Sequence, residues 1–195
     1  KSGIAQVYNN MGVAHMESNQ FDLALHYYQL ALRYYISAND YNKLSTQYTN
    51  LANTNLVLKK VDEAYEQAKL GEYYALKIGN HNLELNALHA LGKIQFVKGN
   101  LEEAKISLDR AISLAHEYGS ERIIREGLGT KALLEASKGD YSSAMALQQE
   151  YISELRKLRS TAIINALAVL QHQFKATQLN QEIEKLKQDR RVQEL

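Results

Sequence analysis

The chain has 195 residues with no proline, no cysteine and no tryptophan, and its 23 basic and 22 acidic residues leave a net charge of +1. Zero cysteine excludes a disulfide framework, a thiolate zinc site and a thiol nucleophile, and the balanced charge gives no electrostatic case for nucleic acid or a membrane surface. Proline makes up about 5% of ordinary proteins and breaks helices, so its absence points to helices joined by short turns. There is no run of roughly 18 apolar residues to span a bilayer and no secretory leader pattern. The chain begins at Lys1 rather than Met, which suggests a piece of a longer protein. The compartment stays open between the cytoplasm and the periplasmic part of a membrane-anchored protein.

In chain order, Val7, Tyr8, Met11 and His15, then Phe21, Leu25, Tyr28 and Leu32, carry the three-and-four spacing of helices, broken at Asn19-Gln20. Further turn signals stand at Asn39-Asp40, Gly79-Asn80 and Gly119-Ser120. Leu88, Leu91 and Gln95 precede a break at Gly99-Asn100, and Leu101, Ala104, Leu108 and Ala111 follow it. Asn100 with Glu103 has the spacing of a capping box for that second helix. The pattern repeats every 40 residues: Ala24, Ala64, Ala104 and Ala144 form one column, Gly12, Ala52, Gly92 and Ala132 another, and Phe21, Val61, Leu101 and Tyr141 a third. Small residues such as Gly12 and Ala24 let the two helices of a hairpin approach at the short end of the roughly 8–10 Å range.

The turn column fails at Arg159, and from Ser160 to Leu195 there is neither Gly nor Pro. Ile163, Leu167, Leu170 and Phe174 form a stripe that could cover the end of the last repeat, as solenoids require. Leu179, Ile183 and Leu186 then make a short heptad-like seam, read as a two-stranded coiled coil and homodimer contact. The alternative is a solvated single helix end.

These columns resemble the tetratricopeptide repeat, whose consensus runs W-x2-L-G-x2-Y and then A-x3-F. The first copy is Tyr8-x2-Met11-Gly12-x2-His15 with Ala24-x3-Tyr28, and the second is Tyr48-x2-Leu51-Ala52-x2-Asn55 with Ala64-x3-Ala68. The third is Leu88-x2-Leu91-Gly92-x2-Gln95 with Ala104-x3-Leu108, and the most divergent is Leu128-x2-Lys131-Ala132-x2-Glu135 with Ala144-x3-Gln148. The usual period is about 34 residues, so the helices and turns here are longer. The resemblance implies an all-α chain, a right-handed superhelix of four helix hairpins at about 5–38, 45–78, 85–118 and 125–158. The expected division is an array over 1–158 and a capping, coiled-coil-like helix over 159–195. The stretches 170–175 and 181–187 are similar in composition to the helix that follows such arrays in bacterial signalling proteins of the histidine kinase or GGDEF diguanylate cyclase type, or that leads into a DNA-binding domain.

No catalytic, metal or cofactor site is expected. No two of the six histidines lie three or four residues apart, so no helix face offers a His pair to a metal. His15 falls in the aromatic column and reads as a packed residue. His172 lacks the acidic neighbour and Thr-Pro pair of a phospho-accepting histidine. Gly127-Leu128-Gly129 has no Gly-Lys-Ser/Thr and falls inside a helix, and Glu102-Glu103 complements a helix N-terminus. Tyr34, Tyr74 and Leu114 share a packing column.

In repeats of the family this chain resembles, partner contacts lie one, four, five and eight places after the repeat start. Starts at Ala5, Ser45, Leu85 and Arg125 then give Gln6, Asn9, Asn10 and Val13; Thr46, Thr49, Asn50 and Asn53; Asn86, His89, Ala90 and Lys93; and Glu126, Gly129, Thr130 and Leu133. The candidate groove residues are Asn9, Asn50, Asn53, Asn86, His89 and Lys93, an amide-rich and nearly uncharged inner face. An Asn side chain offers donor and acceptor together, which suits a peptide backbone; the other reading of these residues is ordinary solvated polarity. The cationic clamp for a C-terminal carboxylate is not met, because Asn9, Val13, Asn86 and Ala90 stand at its positions. Two functions follow. One is a non-catalytic peptide- or protein-binding sensor module of a bacterial signalling protein, relaying through the C-terminal helix to an output domain outside this chain. The other is a stand-alone cytoplasmic scaffold or peptide receptor.

Overall fold

Seven helices of the described chain end on the same backbone device. A residue with positive φ recurs at Asn19, Asn39, Lys59, Gly79, Gly99, Gly119 and Gly139, once every twenty residues. After each, the next amide donates back five residues: Gln20 to the His15 carbonyl at 2.8 Å, Lys60 to Asn55 at 2.9 Å, Asn100 to Gln95 at 2.9 Å, Asp140 to Glu135 at 3.0 Å. This is the Schellman closure, which satisfies carbonyls that the helix end would leave unpaired. Gly and Asn tolerate the left-handed conformation; Lys59 adopts it without either advantage.

A computed structural model of the chain describes residues 2–157, 160 and 161. It holds α1 (Ser2–Glu17), α2 (Phe21–Ala38), α3 (Tyr41–Val57), α4 (Val61–Lys77), α5 (His81–Lys98), α6 (Leu101–Tyr118) and α7 (Glu121–Ser137). Residues 141–157 form an eighth helix, α8. The chain divides into compact units 1–151 and 152–195. The described residues contain no strand, and in the first unit successive helices pack as hairpins of an all-α superhelical solenoid. Arg159, the 163–174 stripe, His172 and the Leu179–Ile183–Leu186 seam lie outside the described residues.

Asp40 and Asn80 cap their helices, accepting from the amides of Lys43 and Leu83 at 3.1 Å each. The capping box expected of Asn100 and Glu103 is not formed: the Asn100 side chain accepts no cap hydrogen bond.

The alanine column supplies the hairpin contacts. Ala24, Ala64 and Ala104 are fully buried. A Cβ on Gly12 would sit 2.5 Å from the Tyr28 ring, and one on Gly92 only 2.7 Å from Leu108 Cγ, so at both places a large side chain lies directly on backbone. The consensus tyrosine column is largely polar here, and its members pair with residues twelve positions on. His15 stacks on Tyr27 at 5.2 Å, Asn55 Nδ2 donates to Gln67 Oε1 at 2.7 Å, and Ser107 donates to Gln95 Oε1 at 2.7 Å. Each bond satisfies polar groups drawn into the hairpin. Tyr74 stacks on Tyr41 and Tyr48 at 5.6 and 5.7 Å, and Tyr34 meets Tyr8 at 6.1 Å, so the shared column of Tyr34 and Tyr74 is packing. The fourth hairpin is looser. Ala144 is only half-buried and Gln148, on the column of Tyr28 and Leu108, is exposed.

Candidate functional site

The odd-numbered helices form one side of the array, with α3 packed on α5 and α5 on α7. Their polar side chains join one repeat to the next. Lys43 Nζ donates to Gln6 Oε1 at 3.2 Å, Asn50 Nδ2 to Asn9 Oδ1 at 3.4 Å, and Asn80 Nδ2 to Asn42 Oδ1 at 3.2 Å, while Arg122 donates to Asn86. The inner face is therefore partly prearranged rather than merely wetted.

A cavity of about 820 Å³ opens along these helices. Asn50, Asn53, Asn86, His89 and Lys93 all line it; Asn9 does not, and acts on it through Asn50. Val13, Thr46, Thr49 and Glu126 line it as well, as the repeat offsets place them. Arg122, Glu17 and the apolar Met16, Leu56, Val57 and Leu83 escaped those offsets. The inner face is thus not nearly uncharged, as the amide count implied: Lys93, Arg122 and Glu126 converge on it. Arg122 stands three residues before the fourth repeat start, outside any repeat-internal offset. Its one sequence trace is the four-residue spacing to Glu126, with which it pairs at 2.8 Å.

His89 is the most perturbed group here. It is 5% exposed, its Nδ1 lies 3.6 Å from Glu126 Oε2, and its Nε2 has no hydrogen-bond partner among the described residues. Burial, then the charges of Lys93 and Arg122, push its pKa down to about 3. The imidazole is therefore neutral at pH 7. Lys93 also has a depressed pKa, from burial and against the pull of Glu126. No ion pair engages its ammonium among the described residues.

Because His89 titrates at about 6.5 when unfolded and about 3 when folded, the unfolded chain binds the extra proton between those values. Stability is thus complete above pH 6.5 and is lost as pH falls toward 3. At about 1.4 kcal/mol per pH unit the loss reaches about 2 kcal/mol by pH 5. Urea titrations at pH 7 and 5 should show that drop, and His89→Gln should remove most of it.

Among the described residues no cluster of His, Asp or Glu could hold a metal, and no helix is long and apolar enough to cross a membrane. The site offers amides, one shielded cation and a neutral imidazole, a set suited to binding.

Residues 5–38 and 85–118 match models of the tetratricopeptide repeat family. No curated protein matches the sequence. Among solved structures, aspartyl phosphate phosphatase F from Bacillus subtilis is similar at TM-score 0.72 and 17% identity, over 80% of this chain and 41% of that one. A Rap protein complexed with competence and sporulation factor is similar at TM-score 0.70 and 15% identity, over 77% of this chain and 42% of that one. BtubC from P. vanneervenii is similar at TM-score 0.69 and 15% identity, over 80% and 64%. At these identities the likeness is one of fold, and this chain spans less than two thirds of each of the three.

Proposed function

We propose that the chain binds an extended peptide, or an extended segment of a protein partner, along α1, α3, α5 and α7. The observation that carries this reading is the 820 Å³ cavity walled by Asn50, Asn53, Asn86, His89 and Lys93. Tetratricopeptide repeats serve protein–protein interaction, and the Rap protein of similar fold was solved with a bound factor. The wider role is the sensor or interaction part of a bacterial signal-transduction protein, relaying through the C-terminal helix, and a homodimer seam at Leu179, Ile183 and Leu186, to an output domain outside this chain. A stand-alone scaffold predicts a monomer instead, so light scattering with and without residues 175–195 separates the two.

The groove itself is tested with a library of randomised N-acetylated, C-amidated octapeptides. The chain should retain a defined subset. Replacing Asn50, Asn53 and Asn86 together by Ala should weaken a retained peptide by about a hundredfold, at roughly 1 kcal/mol per lost amide contact. Unchanged affinity would remove the groove from the account.

A further inference from the structure

A second cavity, of about 660 Å³, lies along α7 and α8, where the fourth hairpin is loose. Ala132, Ala136 and Ala144 with Leu133 and Tyr151 form its apolar stretch, and Arg125, Thr130 and Gln148 line it as well. Leu133 is 63% exposed, an apolar side chain with nothing over it among the described residues. His89, Lys93 and Glu126 line this cavity and the first one alike. A chain running from one cavity to the other therefore crosses Lys93 with peptide on both sides.

The charges at that crossing are unequal. Glu126 is held by Arg122 at 2.8 Å, and Arg122 also reaches Asn86. Lys93 is left with no ion pair among the described residues, and His89 is neutral, so the set of Lys93, Arg122 and Glu126 carries one uncompensated positive charge in a partly dry wall. Such a charge is strengthened by an anion that replaces its lost water.

We propose that the groove reads an acidic side chain inside an extended peptide, placed at Lys93, followed by an apolar side chain seated in the second cavity against Leu133. The recognised carboxylate belongs to an internal Asp or Glu and not to a chain end, because the wall is continuous on both sides of Lys93. This rests on the reading of the groove as a peptide site.

The test uses the 195-residue chain, the same doubly blocked octapeptides and a parallel set left free at the C-terminus. Retained sequences should carry an internal Asp or Glu followed by an apolar residue. A selected peptide should bind at least about tenfold more tightly than its Asp→Asn or Glu→Gln analogue. Lys93→Met, which keeps the stem length and removes an unpaired charge, should erase that difference while the melting curve stays cooperative. Leu133→Asp, at an exposed position, should erase the apolar preference alone. Equal binding of acid and amide peptides, a preference untouched by Lys93→Met, or binding only of peptides with a free C-terminal carboxylate would each overturn the proposal and leave peptide binding standing. Retention of no peptide at all would overturn both.

Discussion

Replacing Gly92 with leucine should destabilise the third hairpin by about 3 kcal/mol, although leucine is the better helix former by about 1 kcal/mol. The Cβ alone would lie 2.7 Å from Leu108 Cγ and 3.3 Å from the Ala104 carbonyl oxygen. Leu108 is fully buried and cannot swing into solvent, and the carbonyl is fixed by its helix, so α5 must back away from α6. In a solenoid each repeat leans on its neighbours, so the loss should appear as faster amide exchange in α5 and α6 first. Gly129→Ala is the matched comparison. Its Cβ would meet only Tyr151 Cε2, at 4.0 Å, so the same loss of a helical glycine should stabilise by about 0.5–1 kcal/mol.

Arg110→Met should cost about 2–3 kcal/mol in urea unfolding for a different reason. Glu84 on α5 is 2% exposed, and its carboxylate is held by Arg110 from α6 and by His81 Nδ1 at 3.1 Å. Arg110 itself is half in solvent, so the pair as such adds little. Removing the arginine strands a buried carboxylate with one hydrogen bond, and that penalty is the large one. Glu84→Gln in the Arg110→Met background should recover much of the loss. If the double variant is no better than the single one, the cost lies in lost arginine packing.

The repeat architecture was legible because backbone demands leave residue traces. A left-handed turn every twenty residues selects Gly or Asn at six of its seven places, and only Lys59 hides one. Hairpin contact selects Gly12, Gly92 and the alanine column for the same steric reason. The capping box at Asn100 failed because residue spacing alone does not orient the capping side chain. The pairs His15–Tyr27, Asn55–Gln67 and Gln95–Ser107 were invisible because their columns depart from the family's aromatic residues, and only the packed helices bring positions twelve apart together. In the groove, offsets from the repeat starts found the amides, His89 and Lys93. Arg122 was missed because its reach crosses from one repeat to the preceding one, where a repeat-internal offset has nothing to count. The loose fourth hairpin did leave a mark, in Gln148 where the other copies carry Tyr28, Ala68 and Leu108.

The central claim, that the odd-numbered helices are the binding face, is tested most directly by mapping where a retained octapeptide lies, using amide chemical-shift changes on the bound chain. The account predicts the largest changes in α3 and α5, at residues 46–57 and 86–93, and in α7 around Arg122 and Glu126, with α2, α4 and α6 nearly silent. Changes concentrated on α2, α4 or α6 would contradict it.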